Sequence, residues 1–61
     1  MKREVTVMIV DDHPLLRHGL RDFIERNSRF KIVGESSDGA EALRAFTSLK
    51  PQIVILDIDM P

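Results

Sequence analysis

Two short apolar runs in this chain each stop on an aspartate. The first, VTVMIV at residues 5–10, leads into Asp11 and Asp12; the second, IVIL at 53–56, leads into Asp57. Both are short, rich in β-branched residues and bounded by charge or turn residues, so both read as buried strands. The second is apolar on both of its faces, as strands of a parallel sheet covered by helices are. That condition limits the architecture more than any other feature of the sequence.

Between the two runs the pattern changes period. Pro14 suits the first turn of a helix, where its missing N–H would have no partner in any case. Leu15, Leu16, Leu20, Phe23 and Ile24 then recur at three- and four-residue spacing, with Arg17, Arg21, Asp22, Glu25 and Arg26 on the other side. This predicts an amphipathic helix ending near Asn27 and Ser28. FKIVGE at 30–35 predicts a second strand, and SSDG a turn. Asp38 is placed to cap the next helix, with Glu41 three residues on as in a capping box. Ala40, Ala42, Leu43, Phe46 and Leu49 give that helix an apolar face, and the KPQ segment ends it. The order β-α-β-α-β with short links predicts an α/β fold, a doubly wound parallel sheet with right-handed crossovers. No internal repeat, low-complexity segment or linker interrupts it.

With 61 residues the chain holds one domain at most. A chain of that size buries only about 60% of its unfolded surface and is marginal alone. It has no cysteine for a disulfide, which fits a reducing compartment. Nine basic against ten acidic residues, a net charge of -1, give no electrostatic case for these residues binding nucleic acid or a membrane. The run at 5–10 is interrupted by Thr6 and closed by two aspartates, unlike the apolar core of a secretory leader. No stretch is long enough to span a bilayer. The expectation is a soluble cytoplasmic protein.

In a parallel sheet all strand ends of one kind lie at one edge. Asp11, Asp12 and Asp57 would therefore share the carboxyl edge. If the third strand lies beside the first, with the second outside it, the chain reverses direction between them, and ligands bind at such a switch point. Two carboxylates about 5 Å apart at an effective dielectric near 20 repel by roughly 3 kcal/mol. A hard divalent cation removes that cost; Mg2+ takes oxygen ligands and retains waters that a phosphoryl oxygen can replace. A carboxylate beside it can act as a nucleophile and form an acyl phosphate. The plainer reading makes each aspartate a turn or capping residue, and Asp12 alone could cap the helix near Pro14. It does not account for a pair on one strand end and a third on another.

MIVDDHPLLRHGL, VGESSDGAEAL and PQIVILDIDMP together resemble the receiver domain of bacterial two-component response regulators, and within it the NarL/FixJ (LuxR-type) subgroup of transcription factors. The resemblance runs over essentially the whole chain and implies a flavodoxin-like (CheY-like) fold. It implies that Asp57, in an Asp-x-x-Met-Pro pattern, is the phosphoacceptor. It implies a Mg2+ site formed by Asp11, Asp12, Asp57 and the backbone carbonyl of Asp59. His13 and Pro14 fit the subgroup's DDHP; His13 is expected at the helix entry rather than as a ligand, and His18 facing solvent. Arg17 also matches the subgroup, with no catalytic role inferred. GESSDG departs slightly from the alanine-bearing form expected there. The family's role is phosphorelay signalling, not enzymatic turnover beyond self-phosphorylation and self-dephosphorylation. Its partners are a sensor histidine kinase and, through a C-terminal helix-turn-helix domain, DNA.

The family's receiver has about twice as many residues. Its later half supplies a hydroxyl residue, a lysine and the elements that respond to phosphorylation. Residues 1–61 are therefore expected to be the N-terminal part of a receiver, covering β1-α1-β2-α2-β3, inert by themselves and prone to self-association. A second resemblance, of ILDID to the Asp-x-Asp motif of haloacid-dehalogenase-type phosphatases, would make Asp57 the nucleophile and Asp59 a general acid. It leaves Asp11 and Asp12 unexplained and sets the motif on the third strand instead of the first.

Overall fold

The computed structural model describes residues 4–57. Its elements run β1 (Val5–Asp11), α1 (Pro14–Glu25), β2 (Phe30–Ser36), α2 (Gly39–Leu49) and β3 (Ile53–Asp57). The three strands form a parallel sheet in the order β2-β1-β3. The central strand carries the core: Val7, Met8, Ile9 and Val10 are fully buried. Their continuous apolar character follows from coverage on both faces.

The two helices lie on opposite faces. Leu49 of α2 lies over Gly34 and the Met8 side of the sheet. Ile24 of α1 lies over Val7, Phe30, Ile53 and Ile55. Along β1 these faces alternate with period two. On β2 the alternation is broken once: Val7 pairs with Ile32 but Met8 pairs with Gly34, so Val33 is an extra residue, a β-bulge. The bulge brings Gly34 under α2. A Cβ on Gly34 would stand 2.6 Å from Leu49 Cδ1, so a residue without a side chain lets α2 approach there.

Local chemistry sets most boundaries. Pro14 opens α1. The helix ends at Glu25, two residues before the expected end, because Asn27 leaves the helical pattern: its N–H bonds to Ile24 O at 3.1 Å and its side-chain Oδ1 accepts the Arg29 N–H at 3.0 Å. Such an Asx turn competes with helix continuation. Asp38 caps α2 as expected, its carboxylate accepting the Glu41 N–H at 2.8 Å. Lys50 closes α2 in the left-handed region, φ 49°, ahead of the buried Pro51. Gln52 then ties the start of β3 to β1 through a 3.0 Å bond from its N–H to Thr6 O and a 3.1 Å bond from the Thr6 N–H to its side chain.

Candidate functional site

The register of β1 against β3 sets Asp11 directly opposite Asp57. Neighbouring strands run about 4.8 Å apart, so the two backbones stand side by side at the carboxyl edge. This edge is the switch point, because β2 and β3 flank β1 on either side. The Asp11 side chain is fully buried. Its Oδ1 accepts the His13 N–H at 2.7 Å, and its Oδ2 has no hydrogen-bond partner among the described residues. Asp12 is partly exposed, with its Oδ1 3.0 Å from His13 Nδ1. Ligand atoms of Asp11, Asp12 and His13 all lie within 4.8 Å of one another. Asp59 lies outside the described residues.

This donor set fits a hard divalent cation. A buried carboxylate oxygen without a donor is an energetic liability of about 1–3 kcal/mol, and a cation at the edge would satisfy it. Asp11 and Asp12 offer carboxylate oxygens, the ligand type that Mg2+ prefers.

Asp12 does not cap α1. The residue in the capping position is His13, in extended conformation and without a side-chain capping bond. The reason is local: the Asp11 carboxylate takes the His13 N–H, and Asp12 turns to the His13 ring. His13 is thus at the helix entry, as expected, and is also a member of the acidic cluster. His18 is exposed.

The arrangement also contains residues that the sequence did not single out. Arg17 donates from Nη1 to the Asp11 carbonyl at 2.9 Å, and its Nε stands 3.2 Å from Glu35 Oε1. Arg21, one turn on, takes Glu35 Oε2 and lies 3.4 Å from Glu25. The hydrogen bond that Arg21 donates to Glu35, with the Glu25 and Glu35 charges, raises the Arg21 pKa above its ordinary value. The signal available in the sequence was the four-residue spacing of Arg17, Arg21 and Glu25, together with the carboxylate of Glu35 next to the carboxyl end of β2.

Comparison with known proteins defines the class. The response regulator receiver domain family matches residues 7–61, and the chain belongs to it. It is 46% identical over 57 residues to the transcriptional regulatory protein BtsR of Escherichia coli K12, an alignment covering 93% of this chain and 24% of that protein. Among solved structures, the two-component response regulator of the LuxR family from Aurantimonas sp. SI85-9A1 superposes with a TM-score of 0.87 at 40% identity, covering 95% of this chain and 41% of that one. The signal receiver domain of the NarL response regulator from Mycobacterium tuberculosis gives 0.88 at 37% identity, covering 97% and 48%. The chain therefore spans about a quarter of that curated relative's length and under half of each solved chain. The fold is that of the receiver, and the solved structures it superposes on are a LuxR-family response regulator and a NarL receiver domain. A receiver is a signalling module rather than an enzyme in the usual sense. The matched segment includes the ILDID stretch on which the phosphatase resemblance rested. No helix among the described residues is long and apolar enough to cross a membrane.

Proposed function

We propose that residues 1–61 are the first part of a receiver domain in a cytoplasmic response regulator, and that Asp57 is its phosphoacceptor. The observation that carries this reading is the pairing of Asp57 with Asp11 in register, beside a buried carboxylate oxygen that lacks a donor. In the reaction an Asp57 carboxylate oxygen attacks phosphorus. The bond from phosphorus to the donor imidazole nitrogen of a histidine kinase breaks, and the electron pair leaves with the imidazole. A small acyl phosphate would serve in the same way, the broken bond then being P–O.

Asp12, Asp57, the Asp59 carbonyl and, through water, Asp11 are the groups that would hold Mg2+, which when bound would supply charge neutralisation for the phosphoryl oxygens. Asp11 contributes a fixed negative charge whose position is set by the His13 N–H bond. Asp12, partly exposed, is the member that reaches the cation from the solvent side. In the complete protein the phosphorylated receiver would control a helix-turn-helix domain that contacts DNA. Residues 1–61 alone are proposed to be inert and to self-associate.

The test is phosphotransfer to the full-length protein from a labelled histidine kinase in the presence of Mg2+, followed by mapping of the label. Label on Asp57, lost in Asp57→Asn, is the expected result. Label on Asp59, or undiminished labelling of Asp57→Asn, overturns the assignment. Turnover of a phosphomonoester abolished by Asp59→Asn but not by Asp12→Ala would return the phosphatase reading.

A further inference from the structure

The bulge on β2 and the arginines of α1 form one device. Without the register shift between Val7 and Met8, Met8 would pair with Val33 and Val10 with Glu35, and Glu35 would share the face of Met8 and Val10, under α2. With it, Ile9 pairs with Glu35, which moves Glu35 to the face that α1 covers. There its two carboxylate oxygens are divided between two arginines one helical turn apart: Oε1 to Arg17 and Oε2 to Arg21. The Arg17 and Glu35 side chains are both mostly shielded from solvent, where such a pair is screened less than on the surface.

Arg17 does not end at Glu35. With Nε directed to the carboxylate, its Nη1 reaches the carbonyl of Asp11. A planar guanidinium can hold two acceptors in fixed relation, which an ammonium cannot. That carbonyl belongs to the peptide joining Asp11 to Asp12. The tilt of this peptide decides where both carboxylates project, and the guanidinium brings a positive charge to the strand end that carries them.

We infer that Arg17, held in place by the bulge-directed Glu35, is a positioning residue for the divalent-cation site. It fixes the Asp11–Asp12 peptide so that the two carboxylates meet the cation without reorganisation. Nothing in the phosphoacceptor chemistry requires this residue to touch cation or phosphoryl group. The inference rests on the cation reading above. It adds that the site's affinity is set partly from β2, on the far side of β1 from Asp57.

The experiment is Mg2+ affinity of the full-length protein by titration calorimetry, alongside thermal melts without metal. Partners that orient ligands are worth about 10–100-fold in metal affinity, so R17M is expected to bind Mg2+ about tenfold more weakly. R17K is expected to fall between wild type and R17M, and is the variant to read if R17M does not fold. E35Q, which keeps an acceptor but weakens the hold on Arg17, is expected to lose affinity in the same direction. Q52A, which removes the side-chain acceptor of the Thr6 N–H at the amino end of the sheet, opposite the acidic edge, serves as the stability control: its melting point should drop while Mg2+ affinity stays within about twofold, since sites that share no partner act independently.

A loss in R17M below about threefold, or a loss in Q52A equal to that in R17M, overturns the inference. If wild type binds no Mg2+, or if Asp12→Ala leaves binding intact, the cation reading itself fails and the positioning role falls with it. The Asp12 control thus separates the two failures.

Discussion

Asp11 carries a fully buried carboxylate with one oxygen bonded to the His13 N–H and the other unpartnered. Such a group is held at a cost by the surrounding fold, and removing its charge should relieve that cost when no cation is present. Asp11→Asn retains an oxygen for the His13 N–H and turns an acceptor into a donor beside other carboxylates. The metal-free protein is expected to gain about 1 kcal/mol, a rise in Tm of about 4–8 °C for a domain of 60–100 residues. Mg2+ at a fixed concentration should raise the Tm of wild type more than that of the variant, because stabilisation by an ion follows its affinity for the folded state. Melts with and without Mg2+ measure both effects; a lower metal-free Tm in Asp11→Asn would show that the buried charge is not a source of strain. Asp12→Ala should weaken Mg2+ strongly, by more than about tenfold, since it removes a direct ligand. Asp59→Asn should change affinity only modestly, because its proposed contribution is a carbonyl. An affinity indifferent to Asp12→Ala, measured by calorimetry, would count against the ligand set.

At the scale of elements, two contacts make the helices fit the sheet. Gly34 leaves room for Leu49, whose Cδ1 would meet an added Cβ at 2.6 Å. Overpacking of this kind costs about 1–3 kcal/mol, and a movable side-chain tip puts Gly34→Ala at the low end. Leu49→Ala in the same chain should remove that penalty, so the double-mutant cycle should show coupling near 1 kcal/mol in urea melts. Additive effects would mean that the helix, not the side chain, yields. The cap at Asp38 is worth about 1 kcal/mol, the loss expected for Asp38→Ala in the same assay. These elements also show what a sequence discloses. Pro14, Asp38 and the Lys50–Pro51 pair punctuate the chain by chemistry local to a few residues, and the starts and stops they imply are those observed. FKIVGE reads as an uninterrupted strand, because the bulge at Val33 arises from pairing with β1 and from the space α2 needs above Gly34. Those causes lie tens of residues away. That Asp12 does not cap α1 was hidden for a related reason: it depends on which N–H the buried Asp11 oxygen takes. Arg17 and Glu35 were visible as charges, but their joint bearing on Asp11 follows only from the bulge. The place of Asp57 at the end of β3 was legible from the apolar run before it, and it stands in register with Asp11.

On the whole-molecule scale, residues 4–57 leave much apolar surface uncovered. Leu15 is 88%, Phe23 70%, Leu43 69% and Leu56 67% exposed, although spacing put the first three on the apolar faces of their helices. An open hollow of about 570 Å³ beside Phe23, Ile24 and Phe30 lies next to a second of about 170 Å³ between Ile24, Ile53 and Ile55. Among the described residues β3 is hydrogen-bonded to β1 alone, so its other side is an edge that can pair with a further strand. Continuous apolar patches of this kind are covered in proteins that remain soluble and single, and a chain of this length has little stability with which to withstand their exposure. A peptide of residues 1–61 is therefore expected to associate at micromolar concentration, through the β3 edge and the adjoining helix faces. Association driven by apolar burial should persist at high salt, where exposed charge pairs are screened. Leu56→Lys, which places a charge beside the edge, should shift sedimentation toward the monomer, whereas Arg44→Gln on the exposed side of α2 should not. A folded monomer at the same concentration, with amides 53–56 protected from hydrogen exchange, would show that the edge is satisfied within one chain and that the exposed leucines do not drive assembly.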